Sequence, residues 1–227
     1  MRERWKKKLT KCGQMSDSFI LGAFLAFSGG FQDAYTYIVR DEVFANAQTG
    51  NIVLMSTYFL KGEWLVGLRY LLPLVAFAAG VLAAALIGRI SKRTRLLHWR
   101  QIVLLVEMLI MLGVGFMPQE LNLPANILIS FSCAMQVQAF REVCGNKYAS
   151  TMCIGNLRSG TSSLFDYLST GDRRALSRSL CYFGVILIFA LGAGLGGVLS
   201  GICRERTIWI SCGLLIVAFL LMELDRE

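Results

Sequence analysis

Long apolar runs broken by short charged stretches leave this chain few folds to choose from. Runs of the length that crosses a bilayer, about 20 residues, occupy residues 19–39, 65–90, 101–117, 124–140, 180–202 and 207–224. In lipid the backbone must satisfy its own hydrogen bonds, so such runs read as helices. The composition agrees: of 227 residues 55% are hydrophobic and 17% charged, against about 25% charged in a soluble domain. This balance excludes a secreted disulfide scaffold, a disordered regulator and a soluble nucleic-acid binder. The expected class is an all-α membrane protein with six transmembrane helices. Its first partner is the lipid bilayer, and nucleic acid is not a partner.

The net charge of +8 needs no anionic partner, because cytoplasmic loops of membrane proteins collect Lys and Arg. Six basic residues lie in residues 1–18. The apolar run that begins at Phe19 continues past Gly29-Gly30 to Val39 without a clear cleavage site, so it reads as a retained first helix behind a cytoplasmic tail rather than a signal peptide. The seven cysteines are odd in number and show no CxxC spacing, which reads as small core residues and not as metal ligands.

Two further segments are polar at one end and apolar at the other: residues 43–60, VFANAQTGNIVLMSTYFL, and residues 148–168, YASTMCIGNLRSGTSSLFDYL. They align through Gly50-Asn51 and Gly155-Asn156 at an offset of 105, which invites a test for duplication. At that offset Asp33-Ala34-Tyr35 falls on Gln138-Ala139-Phe140. At 112, Tyr70, Phe77, Gly80 and Ala84 fall on Tyr182, Phe189, Gly192 and Gly196, and at 110 Trp99 falls on Trp209. The expected organisation is a basic cytoplasmic tail (1–18), a first membrane repeat (19–117), a linker (118–123) and a second repeat (124–224).

Charge discriminates between re-entrant and fully crossing polar segments. If they are re-entrant, 18 of the 23 Lys and Arg lie on the cytoplasmic side, and Arg40, Lys61, Arg69, Arg204 and Arg206 lie outside. If they cross, the split becomes 12 to 10 and Arg158 is stranded in the membrane. The positive-inside rule favours six spans plus two re-entrant or half-helix segments, with both termini cytoplasmic. Three spans per half is odd, so the halves form inverted-topology repeats with a site near mid-membrane.

The candidate site is therefore the pair of polar tips. Asn46, Gln48, Thr49, Gly50 and Asn51 belong to the first, and Thr151, Gly155, Asn156 and Arg158 to the second, with Gln138 as the counterpart of Asp33. Amides and hydroxyls can both donate to and accept from a solute, and two half-helix N-termini converging there favour an anionic group or disfavour cations. The bland alternative is that these groups cap helices and glue the bundle. Asp33 is an acid deep in a span, where ionisable groups are costly, and is the candidate site for a coupling proton or cation. Glu107 is only six residues into its run and is expected to reach the interface. Gly80, Ala84 and Gly88, with Gly192, Gly196 and Ser200, have the spacing of close helix packing, and these faces are expected to cross at the pseudo-two-fold.

The stretch GGFQDAYTYIVRDEVFANAQTGNIV (29–53), together with YASTMCIGNLRSGTSSLFDYLSTGDRRAL (148–176), resembles the YoaK-like family of bacterial membrane proteins. The resemblance covers about 19–221 and implies a small multi-pass protein of the bacterial cytoplasmic (inner) membrane, without an established activity. Gln138 and Ile154 depart from the family pattern, which often has Asn and Thr there. No HExxH, GxSxG or Walker-type Gly-Lys-Ser/Thr occurs, so no enzymatic activity, cofactor or metal is expected. The reading is a small-solute or ion transporter with its site at the repeat interface. The alternative is a membrane scaffold or accessory subunit; homo-oligomerisation is left open.

Overall fold

The structure is a computed structural model that describes residues 18–90, 98–143, 145–148 and 150–223. The basic tail, the greater part of the basic loop before Trp99 and the C-terminus lie outside the described residues, and so does the cytoplasmic placement of the termini. The described chain is almost wholly helical: α1 (Phe19–Val39), α2 (Gln48–Leu60), α3 (Trp64–Ile90), α4 (Trp99–Val114), α5 (Asn122–Ala139), α6 (Cys153–Thr170), α7 (Arg173–Cys203) and α8 (Ile208–Glu223). One short antiparallel hairpin joins α5 to α6, formed by β1 (Glu142–Val143) and β2 (Asn146–Lys147). By length and composition α3 and the stretch Arg173–Glu223 can cross a membrane, with mean hydropathy 2.4 and 2.3.

Capping chemistry sets boundaries that hydropathy does not. The Ser18 hydroxyl accepts from Leu21 N at 3.2 Å and starts α1. Asp172 accepts from Arg174 N at 2.9 Å, so α7 begins in the polar RRALSRS stretch, well before the apolar run at 180. His98 and Gln101 form a reciprocal capping box at the start of α4. Gly62 and Gly171, both at positive φ, reverse the chain between α2 and α3 and between α6 and α7.

Packing joins helices far apart in sequence. α1 lies along α7, α3 along α5 and α4 along α8, while α1–α8 and α4–α5 contacts close the bundle. α1 and α7 run parallel, with Gly184 against Phe19, Gly192 against Phe27 and Gly196 against Phe31. Here backbones touch: a Cβ on Gly192 would stand 2.1 Å from the Phe27 carbonyl oxygen, and one on Gly30 2.1 Å from that of Phe189. The α3–α5 contact has the same form: a Cβ on Gly80 would stand 2.2 Å from the Phe131 carbonyl oxygen. The small-residue faces are thus packing faces, but that of α3 packs on α5 and that of α7 on α1, rather than on each other.

Two other pairs run antiparallel. On α1 and α5, Cys133 Sγ donates to Gln32 Oε1 at 2.7 Å, and Asn126 Nδ2 donates to Arg40 O at 2.6 Å. On α4 and α8, Trp209 Nε1 donates to Leu112 O at 3.1 Å, and Gln101 Nε2 donates to Glu223 Oε2 at 2.6 Å. α1 begins and α8 ends at one end of the bundle, beside the first turn of α4. At the other end sits Arg40, whose side chain is fully buried; charge counting puts it on the outer side, which burial does not test. Its guanidinium donates to Val114 O (3.0 Å), Met117 O (2.8 Å), Pro118 O (3.1 Å), Asn122 Oδ1 (2.9 Å) and the Tyr35 hydroxyl (2.9 Å). Of these, Val114 O is the last carbonyl of α4, and Met117 O and Pro118 O belong to the turn that follows it. Beside it the Glu205 carboxylate accepts from Gln119 Nε2, and its own backbone N–H and that amide hold it below the ordinary glutamate value.

Candidate functional site

Past Arg40 the chain turns back on itself through Asp41 and Glu42, both left-handed at φ 61° and 57°. Residues 43–46 then run without helix down the side of α1. Ala45 N donates to Thr36 Oγ1 (3.2 Å), Asn46 N to Asp33 Oδ1 (2.7 Å) and Asn46 Nδ2 to Gly29 O (3.2 Å). Gly29 is the middle of α1. From that depth α2 starts at Gln48 and leads out to the Gly62 turn. The second loop climbs from the opposite end: Val143 and Tyr148 pack on Gly22, and Thr151 reaches Gly29, where a Cβ would stand 2.4 Å from its methyl. α6 starts two residues later. Both loops therefore stop at the same glycine, from opposite ends.

Between them lies a cavity of about 1070 Å³. Asp33, Asn46 and Thr151 stand on its wall with the first turns of both short helices, namely Gln48 and Thr49 of α2 and Cys153, Ile154 and Gly155 of α6. Neither helix start, at Ala47 or Met152, has a side-chain cap, so backbone N–H groups of both first turns lack the usual acceptor. Asn46 Oδ1 and Thr151 Oγ1 are buried without a hydrogen-bond partner among the described residues. The remaining wall is mostly apolar, with Leu74 and Phe77 of α3 and Phe189 and Ala193 of α7.

The residues expected at the tips divide into two groups. Asp33, Asn46, Gln48, Thr49, Thr151 and Gly155 line the cavity; Gly50, Asn51, Gln138, Asn156 and Arg158 do not. Asn51 is fully buried and brackets Phe44, with Oδ1 accepting from Phe44 N (3.1 Å) and Nδ2 donating to Phe44 O (2.7 Å). Its expected contact with solute gives way to a role in shaping the loop. Gly50 faces the Phe44 ring. Asn156 is buried behind its tip, and Arg158 is exposed on α6. Gln138 accepts from Arg141 at the end of α5. Gln48 spends its amide on Ala45 O and Asn51 Nδ2, which leaves Thr49 as the exposed polar side chain of the first tip.

A second polar cluster, unforeseen from sequence, occupies the core. Glu107 is fully buried, not interfacial. Its carboxylate accepts from Gln32 Nε2 at 3.2 Å and from Gln136 Nε2 at 3.0 Å. Gln32 also donates to Ser211 Oγ (2.9 Å), and Ser150 Oγ donates to Gln136 Oε1 (3.1 Å), next to Thr151 on the cavity wall. The signal that could have found it is the recurrence of Ser-x-x-x-Gln: Ser28 and Gln32 in one run, Ser132 and Gln136 in another, at an offset of 104.

The fold and site define a helical protein with two discontinuous helices facing one cavity. Residues 21–221 match the family described as protein of unknown function (DUF1275), and the chain belongs to that family. No curated protein and no solved structure matches it.

Proposed function

We propose that this chain is an integral protein of the bacterial cytoplasmic membrane, of the YoaK-like kind, that moves a small solute or ion through the cavity between its two loop tips. The observation that carries the reading is the meeting of the two loops at Gly29. Each comes from a different end of the bundle and each begins a helix without a side-chain cap, which is the arrangement of carrier sites at mid-membrane. Irregular backbone at that depth is tolerated only where it is buried in protein or lines a cavity.

The helix pairing supports two inverted repeats, α1–α4 and α5–α8, each with three spans and one re-entrant segment. Exchanging the halves turns α1–α7 into α5–α3 and α1–α8 into α5–α4, and all four packings occur. The contact of Gly192 with Phe27 has its counterpart in Gly80 with Phe131. The corresponding pairs α1–α5 and α4–α8 are antiparallel, as an axis in the membrane plane requires. Asp33 is the site for a coupling proton or cation, and no catalytic step is assigned. The scaffold alternative is weaker because the closest small-residue contacts are used inside the bundle.

Vesicle flux is the test. Protein reconstituted in liposomes is offered labelled amines, amino acids and organic anions. Uptake above protein-free vesicles should occur for one class and vanish in Gly194→Leu, whose side chain enters open space on the cavity wall. Folded protein that transports none of them would turn the assignment to the scaffold.

A further inference from the structure

We propose that the cavity takes a cationic amphiphile from the bilayer, with its apolar body between α3 and α7 and its ammonium head at Asp33, Asn46 and Thr151. The inference rests on the reading of the chain as a membrane protein with a solute site, and it names the substrate class.

Three observations lead to it. The first is charge. Among the described residues no Lys, Arg or His lines the cavity, whereas Asp33 does. A helix N-terminus carries roughly half a positive charge, and Asp33, which accepts from Asn46 N just before α2 at 2.7 Å, stands against it. The ionised form of Asp33 favours a cation over the anion that converging N-termini alone would suggest. The second is hydrogen bonding. Asn46 Oδ1 and Thr151 Oγ1, on side chains more than nine-tenths buried, have no partner among the described residues, and both can accept. Both are closed off from the cavity in this conformation; a side-chain rotation that opens either one presents an acceptor, which a donating head answers and a carboxylate cannot.

The third is size and access. About 1070 Å³ is at the upper end of pockets for drug-sized ligands, roughly 300–1,000 Å³, far more than a bare ion fills. Its edge is formed by Ile38, Ile154 and Val198 on three different helices, exposed by 53%, 80% and 64%. An edge of this kind is wetted by lipid chains rather than by water, so a ligand reaches the cavity sideways, already partitioned into the membrane. Phe77 and Phe189 then flank its chain, and aromatic faces also suit a cationic head in passing.

The experiment uses the full chain in nanodiscs of zwitterionic lipid and two photoactivatable probes of equal chain length, a diazirine alkylamine and the corresponding carboxylate. Peptides containing Phe77, Phe189 or Ile154 should be labelled at least tenfold more by the amine, and unlabelled alkylamine should compete. Gly194→Leu should abolish that labelling. Thr151→Val, which keeps the shape and removes the hydroxyl, should reduce it several-fold, and Asp33→Asn should bring it down to the carboxylate level in protein that still elutes as a single folded species. If Asp33→Asn fails to fold, Thr151→Val and the amine-to-carboxylate ratio decide. Equal labelling by both probes, or labelling indifferent to Gly194→Leu, overturns the proposal. Labelling without vesicle flux would keep it and remove the transporter reading; flux of hydrophilic solutes without labelling would do the reverse.

Discussion

Asn51 and Arg40 are polar side chains whose work is structural, and neither role is visible in a hydropathy trace. Asn51 sits in the ANAQTGN stretch that draws attention to a binding site, yet its amide is committed to both backbone groups of Phe44. Asn51→Leu should therefore act on stability: each backbone group orphaned in a buried place costs about 1–3 kcal/mol, and the apparent Tm of the purified protein should fall clearly. An unchanged Tm with lost solute binding would return Asn51 to the site. The sequence reading grouped Asp33, Asn46, Thr49 and Thr151, and all four line the same cavity. It misjudged Asn51 and Glu107 because an amide or a carboxylate in an apolar run has the same signature whether it faces a cavity or a neighbouring helix.

Helices were legible where hydrophobicity ends where the helix ends, as at α1 and α3. They were not where a cap decides: Asp172 carries α7 into a stretch of arginines and serines, and Gly145 folds a hairpin that no apolar pattern announces. Paired contacts in the first span also follow a different offset from the sequence match. At 105 Asp33 falls on Gln138, but the contacts of Gly80 and Gly192 and the two glutamines on Glu107 follow 104, which sets Asp33 against Val137. Matched contacts give a matched prediction. Gly80→Ala and Gly192→Ala each force a methyl against a carbonyl oxygen closer than any real Cβ approaches, so both should lower thermal stability by similar amounts. Gly194→Ala, two residues beyond Gly192 with open space around it, should leave it unchanged. Loss in only one of the two contact variants would break the correspondence between α3 and α7.

The bundle as a whole has two ends, and the loops that enter from them make its sidedness testable. Lys61, in the turn after α2, and Gly171, in the turn after α6, belong to opposite ends. Single cysteines placed at these positions should react with an impermeant thiol reagent from opposite faces of the membrane, Lys61→Cys from outside and Gly171→Cys from the cytoplasm. Labelling of both from one face would mean that a loop crosses instead of returning. The distribution of Lys and Arg among the loops leads to the same expectation. The cavity could not be foreseen, because its walls come from α1, α2, α3, α6 and α7, and no local pattern reports which helices meet.

The packing of α1 against α7 has a further consequence, in time rather than in space. The backbone of α1 that will touch Gly192 and Gly196 is made first, and its partner only after everything from Arg40 to Asp172 has been synthesised. At roughly 5–20 residues per second, the nascent first helix waits on the order of ten seconds before the surface it was shaped for arrives.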